Sequence, residues 1–279
     1  MPEAMKLVLI TSSPELASFA EAAGVGRIMV DIERMGKFER QRCRDTWISR
    51  HELSDVRPIA DVLTTSDVMV RINPLFEGSR SEVDAAIESG ADLIMLPMFR
   101  AIDEVDALAE MIDGQCGLVP LVETAEALAI IEQTARHPGV TETFIGLNDL
   151  HLSLGLEFMF EPLASGLLDD VCEKLAGIGK PYGFGGIARI GEGDLAAELI
   201  MRRHAHLGST RVNLSRTFAR QEGGDASHSL ADGLLQTEVA KLLQEFEEAQ
   251  TDCESVREDT FHLVREQVDA ILARMRATG

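Results

Sequence analysis

Leu118-Val119-Pro120-Leu121-Val122-Glu123-Thr124 is an apolar run of strand-like composition that ends on a carboxylate, and Phe144-Ile145-Gly146-Leu147-Asn148-Asp149-Leu150 repeats the arrangement. A Glu or Asp just past a buried strand packs badly, but it sets hard oxygen donors on a rigid strand end. Mg²⁺ and Mn²⁺ use such donors, with coordination positions left for water and substrate. Were the two strands neighbours in a parallel barrel, Glu123 and Asp149 would converge on the face where such barrels carry their active sites. The alternative is plain structure, with Asp149 capping the next helix and Glu123 paired with a lysine or arginine.

Outward from these strands the pattern repeats. Strand-like runs fall at Lys6–Thr11, Arg27–Ile32, Val68–Ile72, Asp92–Leu96, Leu118–Val122, Thr143–Leu147, Pro181–Phe184 and Thr210–Leu214. Helix-like stretches lie between them, at Glu15–Ala23, Glu82–Ser89, Ile102–Ile112, Ala125–Arg136 and Leu167–Ile178, with glycine stops at Gly24, Gly90, Gly114 and Gly179. Alternation of this kind implies parallel pairing with right-handed crossovers. The expected fold is a (β/α)₈ TIM barrel over residues 1–218. A doubly wound open sheet is the alternative, but no GxGxxG follows the first strand. Residues 219–229 are polar and glycine-rich and read as a linker or loop. Residues 230–279 read as a C-terminal helical extension that includes the eighth barrel helix, with Val256, Phe261, Val264, Val268, Ile271, Leu272 and Met275 at helical spacing. Helices of that kind suit packing on the barrel or on a neighbouring subunit.

The 279 residues carry a net charge of −21, which argues against nucleic acid and anionic membranes as partners. No apolar run approaches the roughly 20 residues that span a bilayer, and the N-terminus lacks a signal-peptide layout, so the expected location is cytoplasmic. Cys43, Cys116, Cys172 and Cys253 are scattered and form no CxxC pair, as befits ordinary thiols.

From Lys6 to Phe218 the chain resembles the HpcH/HpaI aldolase and citrate lyase family, the metal-dependent class II pyruvate aldolases of the phosphoenolpyruvate/pyruvate-type barrels. The resemblance rests on five segments in order: Val30-Asp31-Ile32-Glu33; Val70-Arg71; Gly90 to Met98 with Pro97; Val122-Glu123-Thr124; and Ile145-Gly146-Leu147-Asn148-Asp149-Leu150, closed by Ser153-Leu154-Gly155. It implies Glu123 and Asp149 as ligands of Mg²⁺ or Mn²⁺ and Arg71 beside the C2 oxygen of a 2-oxo acid such as pyruvate. Pro97, Gly146 and Asn148 would line the substrate. Asp31 and Glu33 match acidic residues near the family's catalytic position, with salt-bridge duty as the alternative.

The match breaks where those aldolases carry a His directly after the Asp-x-Glu segment, because this chain has Arg34. Arginine stays protonated and cannot replace that base. Leu121 stands for the family's glutamine, and Glu88 is matched to the Asp that pairs with the catalytic His. His151, two residues after Asp149, is the candidate replacement, expected in a loop above the barrel. A basic cluster of Arg34, Lys37, Arg40, Arg42, Arg44 and Arg50 is expected to rim the same face, as a substrate-anion site or as a salt-bridged helix. Gly183-Phe184-Gly185-Gly186 with Arg189 marks the seventh strand exit, read as close packing or as an anion site. His204 and His206 are two apart on a helix and read as structural.

The expected activity is therefore a metal-dependent carbon–carbon lyase acting through a stabilised enolate, with an aldehyde or acyl-CoA as second partner and a homo-oligomer as assembly. The alternatives are citrate-lyase-type acyl-CoA chemistry and a catalytically degenerate barrel serving in binding or assembly.

Overall fold

The computed structural model describes residues 4–36, 50–218 and 233–278. Lys37, Arg40, Arg42, Arg44, Cys43 and the 219–229 segment lie outside the described residues. Eight strands close into one parallel barrel: β1 (Lys6–Ile10), β2 (Arg27–Asp31), β3 (Asp67–Arg71), β4 (Leu93–Leu96), β5 (Gly117–Val122), β6 (Thr143–Ile145), β7 (Tyr182–Ile187) and β8 (Arg211–Leu214). These are the strands expected from the sequence, to within a few residues at each end. The stretch read as one helix over Ala125–Arg136 is two, Ala125–Ala129 and Ile131–Arg136. Ile130 leaves helical geometry at φ −109°, and its N–H turns to Ala127 O at 3.2 Å.

Side-chain alternation along each strand sorts the barrel interior into layers. The middle layers are apolar, formed by Val8, Met29, Met69, Leu93, Met95, Val119, Leu121 and Phe144, all buried. Counting two residues back along β2, β3 and β6 from Met29, Met69 and Phe144 reaches Arg27, Asp67 and Glu142. Counting two residues forward along β2, β3 and β5 reaches Asp31, Arg71 and Glu123. One charged layer therefore closes the N-terminal end, and a second sits at the C-terminal mouth.

The closing layer is an ion network. Glu142 accepts from Arg27 Nη1, from Arg27 Nη2 at 3.2 Å and from Arg211 Nε at 2.9 Å. Asp67 joins through Arg27 Nη2 at 3.2 Å and Lys6 Nζ at 2.6 Å. Arg211 fits because β7 carries glycine beside it: a Cβ on Gly183 would sit 2.1 Å from Arg211 O and 2.3 Å from its Cβ. The β7–β8 ladder is irregular between Gly183 and Gly186, where Gly185 takes φ +58°.

The two C-terminal helices pack on this same barrel. Leu234–Ala249 lies against the helices Ala197–His206 and Pro14–Ala22, burying Leu235, Val239, Leu242 and Phe246. Glu254–Thr278 lies against Ala197–His206 and Glu161–Ala164, and its Val264, Val268, Ile271 and Leu272 are buried. Met275, placed by spacing on the buried stripe, is exposed at 42%. No described helix is long and apolar enough to cross a membrane.

His204 and His206 point different ways, as helical spacing requires. His206 Nε2 lies 2.8 Å from Asp252 Oδ2. His204 is fully buried, stacked on Phe184 at 3.8 Å with Nδ1 2.7 Å from Ser209 Oγ. Burial pushes its pKa down from 6.5 to about 3. The unfolded chain takes up that proton near pH 6.5 and the folded chain does not. Stability from His204 is thus present above pH 6.5 and is lost as pH falls below it, by about 2 kcal/mol at pH 5. Urea melts of wild type and His204→Phe at pH 7 and pH 5 should show the variant's stability falling less. Equal falls would assign the acid branch to other groups.

Candidate functional site

At the mouth, Asp31 and Arg71 end adjacent strands and face one another in register. Arg71 donates Nε to Asp31 Oδ1 at 2.8 Å and Nη2 to Oδ2 at 2.7 Å, a bidentate pair. Its Nε is also 3.5 Å from Glu33 Oε2. Asp31 and Glu33 are buried. Burial works against the guanidinium's charge, but Asp31, Glu33 and Glu123 outweigh it and hold Arg71 more firmly protonated than usual. It is a fixed cation, aimed by its carboxylate partner.

Glu123 follows β5 and is buried, with Oε1 accepting the Met98 N–H at 2.9 Å. Met98 presents that N–H from a left-handed conformation, φ +56°, just after Pro97. Thr124 fixes the exit by donating to Phe99 O at 2.9 Å and by capping the helix Ala125–Ala129 through Ala127 N. Gly146, at the β6 exit, leaves the space Glu123 occupies. A Cβ there would meet Glu123 Oε2 at 3.0 Å and Leu121 Cδ1 at 3.0 Å. Asp149 sits in the first turn of the helix Leu147–Ser153, which the Ser153 hydroxyl ties to the β5 exit by accepting Ala125 N–H at 2.9 Å.

Burial, then the charges of Asp149 and Glu33, raise the Glu123 carboxyl to about pKa 8 against the pull of Arg71 and the Met98 N–H. A buried carboxylate among other carboxylates needs a counter-charge beyond the one Arg71 supplies. A divalent cation at Glu123 and Asp149 fits that deficit. Among the described residues no three His, Cys, Asp or Glu side chains form a closed metal cage. Two carboxylates with open positions suit Mg²⁺, which keeps water and substrate oxygens as ligands.

Not every expected residue joins this cluster. Arg34 turns outward. Its side chain is 53% exposed, and its Nη2 reaches Glu52 Oε1 at 3.4 Å and the carbonyls of Arg50 and His51 at 3.4 and 3.1 Å. His151 lies on the helix Leu147–Ser153 rather than in a loop, buried, with Nδ1 3.0 Å from Leu147 O. Glu88 is the last residue of the helix Ser79–Glu88 and is exposed at the far end of the barrel. Glu82, in that helix's first turn, is the one that reaches the mouth, accepting from Asn73 N and Nδ2 at 2.9 and 2.7 Å. Asn148 is half-buried beside Asp149, and Pro97 is buried at the β4 exit. Sequence reading missed His51, whose Nδ1 accepts the Asp31 N–H at 3.1 Å. No local signal ties a histidine 20 residues downstream to that strand end.

Sequence comparison gives the family: the pattern of the HpcH/HpaI aldolase/citrate lyase family matches residues 6–161, more than half of the chain. The chain belongs to this family. A (3S)-malyl-CoA thioesterase of Cereibacter sphaeroides is 30% identical over 97 residues, 34% of this chain and 34% of that protein. The chain thus matches about a third of the length of such curated relatives. Among solved structures, the citrate lyase beta subunit of M. tuberculosis, complexed with oxaloacetate and magnesium, aligns at TM-score 0.59 and 17% identity over 90% of this chain and 99% of that one. Its CitE complex with magnesium and pyruvate gives TM-score 0.60 and 17% identity over 93% and 98%. A family protein from Burkholderia cenocepacia gives 0.60 and 18% over 76% and 88%. At these identities the structural likeness carries the fold alone.

Proposed function

We propose that this chain is a divalent-metal-dependent carbon–carbon lyase that works on a 2-oxo acid such as pyruvate by way of its enolate. The observation that carries the reading is Glu123. It is buried, faces Asp149 and Glu33, and stands beside an Arg71 whose direction Asp31 fixes. Mg²⁺ or Mn²⁺ held by Glu123 and Asp149 would supply Lewis-acid stabilisation of negative charge on the substrate oxygens. Arg71 adds a permanent positive partner for the enolate oxygen, in a site whose burial strengthens the interaction. Asp31 gives both oxygens to Arg71, so its part is orientation. Glu33, 3.5 Å from Arg71 Nε, is the better placed carboxylate to exchange a proton with the substrate. An aldehyde or a coenzyme A ester is the partner electrophile, and a homo-oligomer the assembly.

The second reading, hydrolysis or cleavage of a coenzyme A thioester, is favoured by the name of the curated relatives. Both readings start from carbonyl polarisation at the same site.

Proton NMR of pyruvate in D₂O tests the first. Protein with Mg²⁺ is expected to exchange the methyl protons, and excess EDTA to stop the exchange. Magnesium binding without exchange would move the assignment to the thioester reading. Absence of both would leave a barrel serving only in binding or assembly.

A further inference from the structure

Arg189 stands two residues past β7, on the same face of the barrel as the carboxylate cluster. Its side chain is only 12% exposed. Among the described residues its guanidinium makes no hydrogen bond. Among the described residues its one ion pair is to Glu192, whose side chain is 47% exposed, at a long 3.9 Å. The guanidinium carbon lies 6.0 Å from the centroid of the buried Phe218 ring. The backbone beneath it is fixed. Arg189 N–H donates to Thr217 Oγ1 at 3.2 Å, Thr217 Oγ1 is 3.0 Å from Ser215 Oγ, and Ser215 N–H donates to Ile187 O at 2.7 Å.

A guanidinium has five N–H donors in a rigid fork and no acceptor of its own. Covering one without a close carboxylate is unfavourable, so such a group calls for an anion. Every other arginine among Arg27, Arg71, Arg203 and Arg211 that is similarly covered has a carboxylate within 2.9 Å. Arg189 is the exception, and it stands at the mouth. The β7 exit also adjoins the element that carries Asp149: a Cβ on Gly185 would meet Leu147 Cδ1 at 3.0 Å.

We propose that Arg189 binds an oxyanion, a carboxylate or phosphate, on the part of the substrate remote from its 2-oxo acid end. The inference rests on the proposed function and adds a substrate class to it: the second half of the molecule is anionic.

Calorimetric titration of the Mg²⁺-loaded protein separates the two ideas. The ligands are 2-oxopentanoate, 2-oxoglutarate with its distal carboxylate, and adenosine 3′,5′-bisphosphate as a source of phosphate. Arg189→Gln is expected to weaken 2-oxoglutarate, the bisphosphate or both by roughly tenfold or more, the strength of a lost charge-assisted contact. It should leave 2-oxopentanoate unchanged, and Arg189→Lys should fall between. The anion that responds identifies the source. If neither anion distinguishes wild type from Arg189→Gln, or if all three ligands weaken alike, the proposal is overturned. Failure of 2-oxopentanoate to bind in a Mg²⁺-dependent way strikes the function reading instead, and the bisphosphate still tests Arg189.

Discussion

Replacing Glu123 with glutamine should abolish Mg²⁺-dependent exchange of pyruvate protons, a loss on the order of a thousandfold or more, while making the metal-free protein more stable at neutral pH. The two effects share one cause. The Glu123 carboxyl is buried beside Asp149 and Glu33, and its pKa is pushed up to about 8. Below pH 4.5 it is protonated folded and unfolded alike. As pH rises from 4.5 towards 8 the unfolded chain releases the proton and the folded one resists, so stability falls across that window. Above it the full penalty is present, on the order of a few kcal/mol. Glutamine removes the charge and keeps an amide oxygen for the Met98 N–H. It also removes the anionic oxygens that would hold the cation, leaving Asp149 alone. Thermal melts with and without Mg²⁺ check the argument. Mg²⁺ should raise the melting temperature of wild type strongly and that of Glu123→Gln little. A variant melting at or below metal-free wild type at pH 8, or one still stabilised by Mg²⁺, would remove Glu123 from the metal site.

Those properties were partly legible in the sequence, and the boundary is physical. Strand ends were readable because a buried strand is a dense apolar run and its exit is an abrupt polar residue. Asp31, Arg71 and Glu123 announce themselves in that way, whereas Asp149 lies in the first turn of the helix that follows β6. Alternation then places Asp31, Arg71 and Glu123 in the barrel interior. What could not be read was reach across the chain. Arg34 stands in line with a catalytic position, yet a flexible side chain after the strand is free to turn to the carbonyls of Arg50 and His51. Glu88 and Glu82 are both acidic residues of one helix. Which of them meets the mouth depends on the helix running back down the barrel, and that direction puts the first turn, not the last, beside Asn73. His151 reads as a loop residue from its place just after Asp149, whereas Leu147, Leu150 and His151 are the buried side of a short helix. The ionic layer at the opposite end was hidden for the converse reason. Arg27, Glu142 and Arg211 open or precede their strands, where a charge normally reads as solvated.

That hidden layer carries the largest stability effect. Glu142→Ala should lower stability by about 3–5 kcal/mol, the usual cost of leaving buried charge uncompensated. Arg27 and Arg211 have side chains only 2% and 5% exposed, and both bond to Glu142. Without it the two guanidinium groups lose the carboxylate they share, and Arg27 keeps Asp67 at 3.2 Å. Burial raises the Glu142 pKa, but its hydrogen bonds and ion pairs with Arg27 and Arg211 outweigh that and leave it below the ordinary value. Its contribution is therefore present above pH 4.5 and is lost as pH falls through the lowered folded value. With total stabilities of about 5–15 kcal/mol, the variant loses roughly a fifth or more, a fall of roughly 10 °C in melting temperature. A second variant separates pairing from shape. Replacing Arg27 and Arg211 with Met and Glu142 with Leu removes all three charges together, which is commonly neutral or stabilising where the volume is kept. It should recover most of the loss. Metal-dependent exchange, at the other end of the barrel, should be unaffected per folded molecule in either protein. A melting temperature for Glu142→Ala within about 2 °C of wild type would mean that water already reaches the layer and shares its charge.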